Sequence, residues 1–227
     1  MPKKLHHLSI VALSVCVSLT SLNSFAHGKH SHSHSHSHSH EHQQSEAARK
    51  ASEGIFADKD VKDRPLSDWD GVWQSVNPYL LQGDLDPVLA DKAKKNKNKT
   101  LEEYREYYKK GYATDITMIG IENNTIDFHT PEAVNSCQYS YSGFKIMHYD
   151  SGKKGVRYLY ECKDASSKAP KYVQFSDHII EPQKSQHFHI YMSNESQEKL
   201  LKEMDNWPTF YPITLDKGDI VHEMLHH

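Results

Sequence analysis

The sequence predicts a mainly β protein with helices, and three observations support this class. Residues 115–193 contain seven short segments rich in β-branched and aromatic residues, whereas residues 84–112 are charged and show helical periodicity. The turn signals between the short segments are Asn123-Asn124, Ser142-Gly143 and Ser151-Gly152. Of the 227 residues 37% are hydrophobic and 10% aromatic, which excludes a polytopic membrane protein and argues against a fully disordered chain.

The order of the predicted elements indicates how the β part is built. Helices are expected over 45–56, within 84–112, where Thr100 and Glu103 form a capping-box pattern, and over 194–206, with an extended segment beginning in 64–75. The predicted strands are 115–122, 125–130, 136–142, 144–150, 155–162, 171–178 and 187–193. Seven strands in succession predict an antiparallel meander, either closed as a barrel or folded as a sandwich.

The first 26 residues have the pattern of a secretory signal peptide. Two lysines precede an apolar stretch at 8–22, and Ser24-Phe25-Ala26 is a small-x-small cleavage site, so His27 is expected to begin the mature chain. A retained anchor or a lipoprotein modified at Cys16 are the weaker alternatives. The chain is therefore expected to be exported, with no membrane segment after cleavage.

Residues 27–44 form a histidine-rich segment that we expect to be disordered and to collect metal ions. Eight of the 18 histidines of the chain lie in it, and it offers no apolar side chain to bury. The auxiliary ligands proposed from this tail are His27, His30, His32, His34, His36, His38, His40 and His42. The formal net charge of −3 gives no basic surplus, so a nucleic-acid partner is not expected.

Three further histidines form the principal candidate site. His187 and His189 are two apart in a predicted strand and so point to the same face, and His178 ends the preceding strand. If these strands pair antiparallel, the three imidazoles converge at one end of the meander. Three imidazoles with an open fourth position suit Zn²⁺. The alternative is that the two strand histidines simply face solvent.

Two other patterns have a metal-related interpretation. His222-Glu223-Met224-Leu225-His226 matches the H-E-x-x-H helix of zinc proteases, but we expect this short terminal segment to fray and to give at most auxiliary metal binding. Cys137 and Cys162 remain after signal cleavage and most simply form one disulfide, since they lack the CxxC spacing of a metal site.

In several sequence stretches the chain resembles the ZinT (YodA) family of bacterial periplasmic zinc-binding proteins. The matching stretches are LSDWDGVWQS (66–75), GYATDITMIGIE (111–122), SGKKGVRYLYECKD (151–164), SKAPKYVQFSDHIIEP (167–182), HFHIYMSN (187–194) and MDNWPTFYP (204–212). The resemblance covers residues 45–227 and implies a calycin, lipocalin-like antiparallel β-barrel with a helical subdomain. It also implies a metal site at His178, His187 and His189.

The resemblance further implies a function in the periplasm. Members of the family bind Zn(II) when zinc is scarce and are thought to pass it to the solute-binding protein of a zinc ABC transporter. They also bind Cd(II), and three imidazoles accept Ni(II), Co(II) and Cu(II) as well. We expect a monomer, with metal-bridged oligomers as a further option.

Two other functions stay open from the sequence. A zinc-dependent hydrolase or hydratase would need a general base, for which Asp177 and Glu181 are the nearest residues, and strand alternation points Asp177 away from His178. A lipocalin-type carrier of a small organic ligand is the third hypothesis. We favour a protein that is not an enzyme.

Overall fold

The computed structural model describes residues 45–226. The predicted signal peptide (1–26) and the histidine-rich tail (27–44) lie outside the described residues, so their predictions are not tested by it. Among the described helices, none is both long enough and apolar enough to cross a membrane.

Eight antiparallel strands form one closed barrel in which sequence neighbours are also spatial neighbours. The strands are β1 (Gly71–Ser75), β2 (Met118–Glu122), β3 (Thr125–His129), β4 (Val134–His148), β5 (Lys154–Cys162), β6 (Tyr172–Ser176), β7 (Phe188–Ser193) and β8 (Thr209–Pro212). Pairing of β1 with both β2 and β8 closes the barrel. Of the two architectures that the sequence left open, the structure therefore has the barrel.

The barrel interior is filled by side chains. Trp69, Tyr158, Tyr160 and Phe175 are fully buried, and the Trp69 ring contacts the other three with centroids 5.0 to 6.1 Å apart. Such close aromatic packing leaves the interior as a hydrophobic core. A carrier that holds an organic ligand inside the barrel, the third hypothesis from the sequence, therefore finds no support in this interior.

Helices form a second layer outside the barrel. The α-helices of the described chain are α1 (Glu46–Ser52), α2 (Asn77–Leu81), α3 (Asp86–Lys95), α4 (Leu101–Tyr112), α5 (Gln197–Leu200) and α6 (Lys217–His226). A second apolar cluster joins this layer to the outer barrel wall: Leu80, Leu89, Tyr112 and Ile220 from the helices pack with Tyr211 of β8. The predicted Thr100–Glu103 capping box is present at the start of α4. The fold is thus a lipocalin-like barrel with a helical subdomain.

One predicted turn is a bulge instead. Ser142-Gly143 was expected to separate two strands, but β4 runs through both of them as one strand. The register with β5 shifts between Tyr141 and Phe144, and Gly143 has a φ of +97°. Glycine adopts this conformation without strain, so the extra residue is absorbed as a β-bulge and the strand continues.

The region after β7 also differs from the prediction. The helix expected over 194–206 is only the single turn α5, and the guanidinium of Arg157 donates to the carbonyl oxygens of Leu200 and Glu203 at and after its end. Strand β8 was not predicted. It is four residues long and ends in Pro212, so its pattern is too short to recognise in isolation.

Cys137 of β4 and Cys162 of β5 are joined by a disulfide. Cys162 is the last residue of β5. At the opposite end of this strand, Gly155 lines a small cavity together with His178. The disulfide therefore lies at the far end of β5 from the candidate histidine site.

Candidate metal centre

The structure brings His178, His187 and His189 together. Their ring centroids are 5.5 to 5.8 Å apart, and one ligand nitrogen from each ring lies within 4.8 Å of the other two. Tetrahedral Zn–N bonds of about 2.0–2.1 Å place nitrogen atoms about 3.3 Å apart, so these nitrogens need to approach one another by at most about 1.5 Å. Within residues 45–226, no other group of three or more potential ligands is this compact.

The alternation of β7 sets the direction of two of these rings. Phe188 and Ile190 belong to the barrel core and are fully buried. His187 and His189 therefore point outward, toward the helical layer. The register Ser176↔His189 confirms the expected antiparallel pairing, which carries His178 toward His187. The site thus lies on the outer face of the barrel wall beside the end of β6 and the start of β7, which is one end of the meander, as the sequence predicted.

His178 reaches this face through an unusual backbone conformation. It follows β6 and has a φ of +64°, in the left-handed region. Residues other than glycine adopt this region uncommonly, and histidine is among those enriched there. The residue is also exposed, whereas His187 is only 9% exposed. The site is therefore open to solvent on the His178 side.

Neighbouring side chains fix the two strand histidines. His187 stacks on Tyr211 with an interplanar angle of 14°, and His189 meets the edge of Trp207. The hydroxyl of Thr209 donates to the carbonyl oxygen of Trp207 and lies 2.7 Å from Nδ1 of His189. In the tautomer with Nδ1 protonated, this hydroxyl accepts from Nδ1–H, and Nε2 is then the His189 nitrogen with the lone pair that a cation needs.

The three histidines line one wall of a cavity of about 440 Å³ between barrel and helices. The other side chains that line it are mainly aromatic, including Tyr107, Tyr108 and Tyr112 of α4, with Met224 of α6. Burial raises the pKa of the Tyr211 hydroxyl, and the charge of Glu223 raises it further. Tyr211 is accordingly neutral at physiological pH.

The loop that joins β6 to β7 is anchored by the buried Arg64. The guanidinium donates to Asp177 at 2.6 Å, to Asp68 at 2.8 Å and to the carbonyl oxygen of Gln183 at 2.7 Å. Burial opposes its charge, but the two carboxylates outweigh this and raise the pKa of Arg64. Asp68 also accepts the backbone N–H of Gln183, and its carbonyl accepts that of Ser185. The loop between His178 and His187 is thus held at several points.

The residues considered for catalysis are not brought to this face. Asp177, which strand alternation predicted to point away from His178, is buried and paired with Arg64, and Glu181 is exposed in the loop. The C-terminal segment was expected to fray, but in the structure it forms the ten-residue helix α6, in which Ile220 is completely buried.

Sequence reasoning missed Arg64, Trp207, Thr209 and Tyr211. The last three flank and form β8, which was not predicted, so no pattern placed them beside β7. The sequence signal that would have suggested an ion pair is Arg64 followed four residues later by Asp68.

Taken together, these features define a lipocalin-like barrel protein with a three-histidine candidate site on its outer wall. A family model described as "ZinT (YodA) periplasmic lipocalin-like zinc-recruitment" matches residues 47–227, and the chain belongs to this family.

Known relatives agree with this assignment. The chain is 48% identical over 182 residues to the "Probable metal-binding protein YrpE" of Bacillus subtilis, covering 80% of this chain and 72% of the relative. It is 48% identical over 184 residues to the "Zinc-binding lipoprotein AdcA" of Streptococcus pneumoniae strain R6, but these residues are 81% of this chain and only 37% of AdcA.

A solved relative covers the same region. The crystal structure of the Zn(II)-bound ZinT-like domain of Streptococcus pneumoniae AdcA has a TM-score of 0.75 and 49% sequence identity. The match covers 77% of this chain and 97% of that domain. The chain is therefore homologous to a ZinT-like domain that has been solved with Zn(II).

Proposed function

We propose that the chain is an exported zinc-binding protein that holds Zn(II) at His178, His187 and His189. The observation that carries the proposal is the convergence of three ligand nitrogens within 4.8 Å on a solvent-accessible face. The family description as periplasmic zinc recruitment and the Zn(II)-bound relative support the choice of metal. Cd(II), Ni(II), Co(II) and Cu(II) are further ions that such a ligand set accepts.

The proposed role is capture under zinc limitation, followed by delivery to the solute-binding protein of a zinc ABC transporter. The histidine-rich tail gathers ions weakly and, because it is tethered, presents them at a high effective concentration. Water or a tail histidine takes the fourth position. A ligand from the partner can replace it there, so the ion passes by stepwise exchange.

Zinc titration tests the site directly. The reference is the mature chain with its eight tail histidines replaced by serine, called here the tail-serine variant. We expect it to bind one zinc ion tightly, and we expect that ion to be lost when His178, His187 and His189 are also changed to alanine. Changing His129 and His148 to alanine is the matched control. Tight binding of one zinc in the triple variant would contradict the assignment.

Delivery needs a separate measurement. Zinc-loaded protein is mixed with the zinc-free solute-binding protein from the same cell, and the transfer rate is compared with release to a chelator. We expect transfer to be faster than unaided release and to rise with partner concentration. Equal rates would contradict delivery by contact. A panel of ester, CO₂ and phosphoester substrates with the zinc-loaded protein tests the hydrolase alternative.

A further inference from the structure

The H-E-x-x-H match at the end of the chain has no role in the proposed zinc site. In the structure it lies in α6, which is anchored by Ile220 and by Val221 and Met224 in the helical cluster. His222 and His226 are both exposed. Residues four apart share one helix face, and the two imidazole centroids are 4.2 Å apart.

The hydrogen bonding of this pair determines which ring nitrogen of His226 carries the lone pair that can bind a metal ion. Nδ1 of His226 lies 2.7 Å from the carbonyl oxygen of His222. A carbonyl oxygen only accepts, so Nδ1 is protonated and Nε2 has the lone pair. A histidine that donates its second ring nitrogen to a carbonyl is the arrangement typical of metal ligands.

We propose that α6 carries a second metal site, in which His222 and His226 bind a divalent transition ion through two imidazoles. The order of affinity is Cu(II) above Ni(II) above Zn(II), because two exposed nitrogen donors with open positions suit tetragonal ions. Two further charges favour a cation there. The negative end of the helix dipole lies in this last turn, and Glu223 is three residues before His226.

This site is separate from the three-histidine site. Met224, on the opposite helix face, lines the cavity that contains His178, His187 and His189, so His222 and His226 point away from it. The proposal therefore stands or falls independently of the proposed zinc function.

The test uses a chain in which only the terminal pair remains as a cluster. In the tail-serine variant that also has alanine at 178, 187 and 189, Cu(II), Ni(II) and Zn(II) are each titrated calorimetrically. Electron paramagnetic resonance reports nitrogen ligation of Cu(II). We expect one site with the order given above, weakened at least tenfold by His222→Ala or by His226→Ala, and nitrogen coupling that decreases with either change.

Because both side chains are exposed, the variants are expected to fold, and circular dichroism checks this. The controls are His129→Ala, His148→Ala and His227→Ala. Each should leave the Cu(II) affinity within about twofold of the reference, which is clearly smaller than the tenfold loss expected for His222→Ala or His226→Ala. Binding that survives both His222→Ala and His226→Ala, or that is lost with a control instead, would overturn the proposal. Loss of zinc from the three-histidine site alone would leave it intact.

Discussion

The three-histidine site and the His222–His226 pair use the same donor group in different surroundings. His189 lies on β7, packs against Trp207 and is hydrogen-bonded to Thr209, and His187, directly before the strand, stacks on Tyr211. The pair on α6 is exposed and oriented by its own helix backbone. Because the same donor group is packed by several side chains in one region and oriented only by its own helix in the other, we expect the two sites to hold an ion differently.

The two regions differ in how far their donor side chains are already ordered before an ion binds. In the barrel, buried hydrogen bonds and the loop anchored on Arg64 already hold the three histidines in place. Little further ordering of these side chains is therefore needed when an ion binds. The helix presents two donors and leaves the other positions to water. We therefore expect tight, slowly exchanging zinc at the barrel and weaker, rapidly exchanging ions at α6.

The largest expected effect comes from removing the anchor of the barrel site. Arg64→Met leaves Asp177 buried without its cation, which typically destabilises a protein by about 3–5 kcal/mol. The loop between His178 and His187 loses its attachment, and zinc affinity should fall by about tenfold or more. Chemical denaturation and zinc titration measure the two effects, and the Ni(II) affinity of the α6 pair should be unchanged.

Arg157→Met is the matched control for this change. Arg157 is equally buried, but it binds the carbonyl oxygens of Leu200 and Glu203 and covers Tyr191 instead of holding the histidine loop. It should lower stability with little effect on zinc. If both variants lose zinc affinity to the same extent, the loop anchor is not what orders the site.

The next effect is on stability alone. Replacing Cys137 and Cys162 by alanine removes a cross-link over a sequence separation of 25 residues. The chain-entropy relation gives a loss of about 3.5 kcal/mol in unfolding free energy. Because the disulfide lies at the far end of β5, zinc affinity should stay unchanged. A tenfold fall in zinc affinity would show that the whole barrel, and not the local loop, orders the three histidines.

The sequence predicted the candidate ligands because their geometry follows from local rules. Alternation along β7 places His187 and His189 on one face, and antiparallel pairing with β6 adds His178. Both rules act over a few residues and hold in the structure. The strands, the capping box at Thr100 and the helices within 84–112 were predicted on the same grounds.

What the sequence could not predict depends on distant contacts. The location of the site outside the barrel follows from which face of β7 packs with the core, and either face was compatible with the pattern. The predicted 194–206 helix is only the single turn α5, and the carbonyl oxygens at and after its end accept from Arg157, which is more than 40 residues away in the sequence. Likewise, β8 is a strand because β1 and β7 flank it.

A smaller effect is expected from the hydrogen bond to His189. Thr209→Val removes the acceptor for Nδ1–H and lets the ring change tautomer or turn. Loss of such a partner typically lowers metal affinity by about 10–100-fold. Thr117→Val, on an exposed part of the barrel beside His129, is the control. Zinc titration gives the affinity, and nitrogen NMR reports the His189 tautomer. An unchanged tautomer with unchanged affinity would show that packing by Trp207 alone orients the ring.

The smallest expected effect connects both sites through one charge. Glu223 lies between His222 and the cavity-lining Met224 in sequence, and its charge acts on Tyr211, which stacks on His187. Glu223→Gln removes an exposed, solvent-screened attraction for cations, so each site should bind its ion about twofold more weakly at low salt. The difference should vanish near 1 M salt, where the Debye length is about 3 Å. Glu132→Gln, in an exposed loop, is the control. A tenfold, salt-independent loss at α6 alone would instead make Glu223 a direct ligand of the helix site, and the contrast between three donors and two would no longer hold.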